Sequence, residues 1–293
     1  MLRRTLVTFA FLAAALVAAP AIAQTAGDSP MSTPSSTGKV PVGGAELYYE
    51  IHGDGPPLVL LHGGVLPSQT FGAPLATMAR THRVIAIHMR GHGLSTDADT
   101  PWSDELMADD VAAVLSHLGI GRARVMGYSL GAAVALQLAI RHPELVEKLV
   151  SVSVAFSTDG NYPEVREAFR QMPANAATIG QQLAASPFAE LYPDADWERI
   201  MRKSAEMNLV DYDWSEAIKA ITAPTLLVFA DADAIRPEHM VEFWKLVGGG
   251  QHDAGLDGSQ RPKSQLAILP NTTHYSLIDS PLLTEVATAF LTQ

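Results

Sequence analysis

The chain has 293 residues, 47% of them hydrophobic, with 31 acidic against 20 basic side chains, a formal net charge of −11 and no cysteine. That balance repels nucleic acid and anionic lipid surfaces, and it excludes disulfides and thiolate metal sites. Ten histidines remain as candidate metal ligands, so their spacing has to decide that question.

Met1 to Ala23 has the three parts of a secretory signal peptide. Arg3 and Arg4 form the basic end, Leu6 to Ala19 the apolar core, and Ala21-Ile22-Ala23 the cleavage site. The core falls short of the ~20 residues a membrane span needs, and Pro20 ends it. Cleavage after Ala23 is expected, giving a periplasmic or secreted chain without stable membrane association. Losing Arg3 and Arg4 leaves 18 basic residues and a net charge of −13. Gln24 to Gly38 is rich in Ser, Thr, Pro and Gly and reads as a disordered leader, which puts the folded domain at 39–293.

Leu47 to Ile51 is expected to open a sheet. Apolar runs follow at about 58–61, 84–87, 123–126, 148–154, 225–230 and 266–269. Helical patterns lie between most of them, including Ser103 to Leu118, Ala132 to Arg141 and, at the end, about Leu282 to Leu291. Strands alternating with helices indicate an α/β fold with a doubly wound, mainly parallel sheet. Between Phe156 and Thr222 the alternation stops and the pattern is helical throughout, with segments at about 163–171, 175–186 and 194–208. Gly248 to Lys263 reads as a long surface loop.

The chemistry is written around Gly127-Tyr128-Ser129-Leu130-Gly131, between a strand and a helix. A serine at the apex of a strand–turn–helix is a nucleophile elbow. Glycines flank it because the turn is strained and backbones pass close by. The helix N-terminus favours developing negative charge. A serine hydroxyl needs a base, and the base needs an orienting acid. His274 follows the last strand-like run and is the expected base. Asp231 and Asp233 both follow the run before it; Asp233 is preferred because Pro237 sets the loop four residues on. The order Ser129, Asp233, His274 is the order this kind of elbow uses. For the oxyanion, two backbone donors are expected, the amides of Leu130 and of Gly64, with Val65 behind. His62 reads as a brace for that loop. His88 and His92 stand four apart, yet Gly91 and Gly93 forbid a helix there, and no nucleotide fingerprint is present. No metal and no organic cofactor is expected.

Four stretches carry a resemblance: Leu61-His62-Gly63-Gly64, Met89-Arg90-Gly91-His92-Gly93-Leu94-Ser95, the elbow, and the acid and histidine loops. Over roughly residues 40–293 the chain resembles α/β-hydrolases of the single-domain esterase, lipase and perhydrolase group. The resemblance implies a helical cap at about 156–222 and a serine hydrolase acting on small or medium carboxylic esters. Lactone hydrolysis, cofactor-free peracid formation and carbon–carbon hydrolysis are rival reactions on the same triad. A non-catalytic binding protein is the rival from another class, and retention of all three triad residues weighs against it. Three positions depart from the family's habit: His88 where Asp is usual, Ala230 where Gly is usual, and Gly64 where perhydrolase-like members often carry a bulky apolar residue. Val65, Tyr128, Trp197, Tyr212 and Trp214 are the expected pocket residues. The cap aromatics line a tunnel or pack cap to core; in the first case, trimming them alters chain-length preference more than stability. Oligomeric state is left open.

Overall fold

Leu58 to Leu61 and Val84 to Ile87 are apolar at every position, and every one of these side chains is buried. Runs of this kind suit strands covered on both faces. In the computed structural model, which describes residues 33–65 and 71–293, they become neighbouring strands of one sheet. The expected signal peptide, and the leader as far as residue 32, lie outside the described residues.

The strands are β1 (Ser36–Val42), β2 (Ala45–His52), β3 (Pro57–Leu61), β4 (Arg83–Ile87), β5 (Ala123–Tyr128), β6 (Val146–Val152), β7 (Thr225–Ala232) and β8 (Gln265–Thr273). Their order across the sheet is β1-β2-β4-β3-β5-β6-β7-β8. β1 and β2 run antiparallel; β3 to β8 are parallel. The helices outside the cap are α1 (Gly72–Met78), α2 (Asp104–His117), α3 (Leu130–Arg141), α8 (Pro237–Leu246) and α9 (Pro281–Thr292).

The period of two along each strand sorts the core into two layers. Val59, Leu61, Ile85, Ile87, Val125 and Leu227 face α2 and α3. Leu58, Leu60, Val84, Met126, Val150 and Val228 face α1 and α9. From β3 the chain steps to β4 on one side, then crosses to β5 on the other. The carboxyl ends of β3 and β5 therefore flank the point where strand order reverses, the usual place for a ligand crevice in open α/β sheets.

One boundary differs from the sequence reading. Residues 36–38, assigned to the leader, are paired in β1, so the sheet opens before Leu47. Gly43 and Gly44 close the β1–β2 hairpin with φ of 53° and 80°. A two-residue hairpin turn of that kind wants positive φ at both centres, and glycine supplies it without steric cost. The pairing outweighs the loop-like composition.

Four helices occupy the insertion: α4 (Pro163–Ala184), α5 (Pro187–Leu191), α6 (Trp197–Asn208) and α7 (Ser215–Ile218). The segments expected at 163–171 and 175–186 are one helix that runs through Pro173. An internal proline costs ~3 kcal/mol. Here α4 packs along α6 so closely that a Cβ on Gly180 would lie 2.7 Å from the Cα of Glu198. Burial of Ala176, Ile179 and Leu183 against that neighbour offsets the proline. The 248–263 stretch is a surface loop without helix or strand, as read.

Lysine and arginine pin the cap to the core. Lys203 is buried, and its Nζ lies 2.6 Å from Asp97 Oδ2 and donates to the carbonyls of Ala98 and Thr100, each at 2.8 Å. Arg199 meets the same carboxylate at 2.9 Å. Burial alone would raise the Asp97 pKa, but hydrogen bonds from Lys203, Trp102 and Arg199 hold it below the ordinary carboxylate range. Tyr192 sets its ring edge against His88, after β4, and the carbonyl of Phe156, after β6, accepts from the Trp214 amide. Those contacts seat the cap on the carboxyl edge of the sheet.

Candidate active site

β5 delivers Ser129 at φ 53° and ψ −116°, a backbone conformation that side-chain-bearing residues rarely hold. Its neighbours explain how it persists. A Cβ on Gly127 would overlap the carbonyl of Gly131, and one on Gly131 would overlap the carbonyl of Leu61. Only glycine fits either place. The Ser129 amide donates to the Val152 carbonyl at 2.9 Å, which ties the turn to β6.

The structure brings the three predicted residues together. Ser129 Oγ lies 3.1 Å from His274 Nε2, and His274 Nδ1 lies 3.2 Å from Asp233 Oδ1. Ser129 and His274 are half-buried, while the Asp233 side chain is fully buried. Burial by itself would raise the Asp233 pKa. The His274 contact, the amide of Ala230 and the hydroxyl of Ser153 together hold it below the ordinary range, so it carries its charge at neutral pH. Its Oδ2 accepts from the Ala230 amide at 2.9 Å and its Oδ1 from the Ala234 amide at 2.7 Å.

Asp231 does other work. Exposed, it accepts from the amides of Asn271 and Thr272, both at 3.0 Å, and those bonds depress its pKa. It fixes the β8 end of the loop that carries His274. The two carboxylates stand two residues apart, Asp231 at the end of β7 and Asp233 just past it, but do not share a target.

Gly63 and Gly64 follow β3 directly beside the elbow. A Cβ on Gly63 would lie 2.9 Å from the Tyr128 ring, and one on Gly64 3.7 Å from the Leu130 side chain. Leu130 is the first residue of α3, and a first-turn amide has no intrahelical acceptor. Val65 takes φ 68°, unusual for a β-branched residue, and packs against the core beside Gly64. His62 is fully buried; its Nδ1 donates to the Gly63 carbonyl at 2.8 Å and its Nε2 accepts from Met89 N–H at 3.0 Å. Burial pushes its pKa well down, so it stays neutral. It braces the glycine loop and lies in the layer behind it.

The remaining family-signature residues are also structural. Arg90 is buried and clamps Asp110 of α2 through two bonds of 2.8 and 2.6 Å. His88, in the position where the family has Asp, accepts from Leu94 N–H at 3.0 Å, and burial lowers its pKa to about 4. Among the described residues no cluster of three or more His, Asp or Glu could hold a metal ion.

The five expected pocket residues differ in burial and in partners. Tyr128 is buried on the α1–α9 side of the sheet, and its hydroxyl donates to the His274 carbonyl at 2.6 Å. It steadies the base from behind. Trp197 and Trp214 are 6% and 8% exposed and belong to the α2–α3 core layer. Tyr212 is half-buried, stacks on Trp214 at 4.3 Å, and donates its hydroxyl to the Ala155 carbonyl at 3.3 Å. Trp197→Ala and Trp214→Ala are therefore expected to cost stability, ~3–5 kcal/mol each by denaturant unfolding, rather than to shift chain-length preference. Val65, next to Gly64, stays beside the glycine loop.

Ser153 is the residue the sequence reading missed. It is buried with φ 56° immediately after β6, and its Oγ reaches Asp233 Oδ1 at 2.7 Å, Oδ2 at 2.8 Å and His274 Nδ1 at 2.7 Å. The apolar run read as a strand to 154 ends at Val152, which turns Ser153 out of the ladder.

Asp104 opens α2 near Tyr212, with its Oδ1 buried and without a hydrogen-bond partner. Burial pushes its pKa up to about 7. The unfolded chain releases this proton near pH 4, so stability from this group is lost as pH rises from about 4 to 7. Asp104→Asn should raise stability by ~1–3 kcal/mol at pH 7.5 and leave it unchanged at pH 4. Thermal melts at the two pH values check this.

A strained serine at a strand–helix turn, faced by a histidine and a buried carboxylate from the loops after β8 and β7 of a parallel sheet, defines a nucleophile-elbow α/β protein. The chain belongs to the alpha/beta hydrolase fold family, whose pattern matches residues 56–189. It is 29% identical over 221 residues to a non-heme haloperoxidase from Rhodococcus erythropolis, covering 66% of this chain and 81% of that one. It is 32% identical over 216 residues to a putative carbamate hydrolase, RutD, from Caulobacter sp. strain K31, covering 64% and 78%. Among solved structures, a thermophilic esterase from Thermogutta terrifontis superposes with a TM-score of 0.69 at 22% identity, covering 88% of this chain and 98% of that one. That last likeness is one of fold.

Proposed function

We propose that this protein is a serine hydrolase that cleaves carboxylic esters of small or medium size through an acyl-enzyme. The observation that carries the reading is the 3.1 Å approach of Ser129 Oγ to His274 Nε2, with the opposite ring nitrogen facing the buried Asp233. His274 with its proton on Nδ1 accepts the serine proton at Nε2 as Oγ bonds to the acyl carbon. The carbonyl electrons move onto oxygen, where the amides of Gly64 and Leu130 receive the charge. When the carbonyl re-forms, the C–O bond to the alcohol breaks and Nε2–H protonates the departing oxygen. Water then repeats the cycle: it gives a proton to Nε2, bonds to the acyl carbon, and displaces Ser129, which regains its proton. Asp233 stays ionised and stabilises the imidazolium at each stage.

Gly64 in the place of a bulky apolar residue favours this chemistry over peracid formation. p-Nitrophenyl esters of graded chain length, assayed beside a lactone, a carbamate and a peracid assay, test the assignment. Ester turnover with labelling of Ser129 by a fluorophosphonate is expected. Turnover of a rival substrate at higher kcat/KM than every ester would replace it. The three-part N-terminus supports export to the periplasm or beyond. N-terminal sequencing of the protein from its native host is expected to begin at Gln24.

A further inference from the structure

The Nδ1–H of His274 has two acceptors within reach, and the nearer one is not the carboxylate. Ser153 Oγ lies at 2.7 Å and Asp233 Oδ1 at 3.2 Å. A serine hydroxyl has one proton to give and two lone pairs to accept with. Its proton is directed at Asp233, whose oxygens are 2.7 and 2.8 Å away. Oγ is then left to accept from Nδ1–H. Asp233 cannot easily close the longer gap, because the amides of Ala230 and Ala234 hold both of its oxygens.

We infer that Ser153 is a positioning residue: its hydroxyl bridges Asp233 and His274, fixing the ring and its tautomer for proton exchange with Ser129. This rests on the serine-hydrolase reading. Two further observations support it. Ser153 is 1% exposed, so the hydroxyl does not serve solvent. It also sits at φ 56°, where a serine is strained and a glycine would not be. The hydroxyl is kept at a place the backbone would rather give to glycine.

That strain lets stability and activity be separated. Ser153→Gly removes the hydroxyl and relieves the backbone; Ser153→Thr keeps the hydroxyl and adds a branched carbon that φ 56° tolerates poorly. The glycine variant is expected to lose ~10–100-fold in kcat, the range typical of partners that orient a reacting group, with KM within about twofold and an undiminished melting temperature. The threonine variant is expected to melt lower yet recover most of the lost kcat. In proton NMR the low-field His274 Nδ1 proton should move in the glycine variant. A glycine variant that keeps more than about a third of wild-type kcat overturns the inference. So does an unmoved Nδ1 resonance, or activity that follows melting temperature across the variants. Wild-type protein that neither turns over esters nor labels at Ser129 overturns the serine-hydrolase reading first, and this inference with it.

Discussion

Ser129→Ala is expected to remove ester hydrolysis by a factor of ~10⁴ to 10⁶ in kcat while leaving the melting temperature close to that of the wild type. The expectation has a structural basis on both sides. The hydroxyl is the atom facing His274 Nε2, so without it no group stands where an acyl carbon would be attacked. The fold does not depend on it: the elbow is held by the Ser129 amide on β6 and by two glycines that pass under neighbouring carbonyls. Alanine keeps the same Cβ at the same strained φ, so the strain is unchanged. Steady-state assays with a short-chain p-nitrophenyl ester, together with fluorophosphonate labelling, measure the effect. An alanine variant with more than a tenth of wild-type kcat would remove Ser129 from the nucleophile's role.

Much of this arrangement was legible in the sequence because it is written in local patterns. Leu58–Leu61 and Val84–Ile87 announce buried parallel strands, and the elbow announces itself through two glycines whose absence of Cβ is sterically required. His274 and Asp233 could be found because each follows an apolar run by a few residues, and in the structure each stands directly after its strand. What stayed hidden depends on neighbours across the sheet. Ser153 becomes meaningful only when β6 and β7 lie side by side and the ladder ends at Val152. Within its own segment it is one of two alternating serines, and nothing local sets it apart from Ser151. The packing of Tyr128 was hidden for a related reason: it clusters with the α1–α9 layer of the sheet, which its chain position next to the nucleophile does not reveal. Pro173 misled in the other direction, since the helix it interrupts is held together by packing on α6 that no local propensity contains.

Between the two loop carboxylates, Asp233→Asn is expected to be far the more damaging, with kcat falling by ~10³ to 10⁴ and the fold retained. The loss has three sources in the geometry. An amide is neutral, so the imidazolium formed when His274 takes the serine proton loses its buried counter-charge. Asn also presents an NH₂ where Oδ1 now faces Nδ1, which favours the tautomer with its proton on Nε2, the wrong one for accepting from Ser129. Finally, the Ala230 and Ala234 amides both point at this side chain, so one would meet a donor instead of an acceptor. Asp231→Asn meets only the third of these. Its carboxylate is exposed, faces neither His274 nor Ser129 in any hydrogen bond, and accepts from the amides of Asn271 and Thr272 in the contacts that fix the loop. Losing one of them should loosen the chain leading to His274, reducing kcat by less than about tenfold and stability by about 1 kcal/mol. Each variant should be assayed from pH 5 to 9, with melts run alongside. The reverse ranking, with Asp231→Asn the more severe at equal stability, would move the acid's role two residues upstream and leave the serine and histidine where they are.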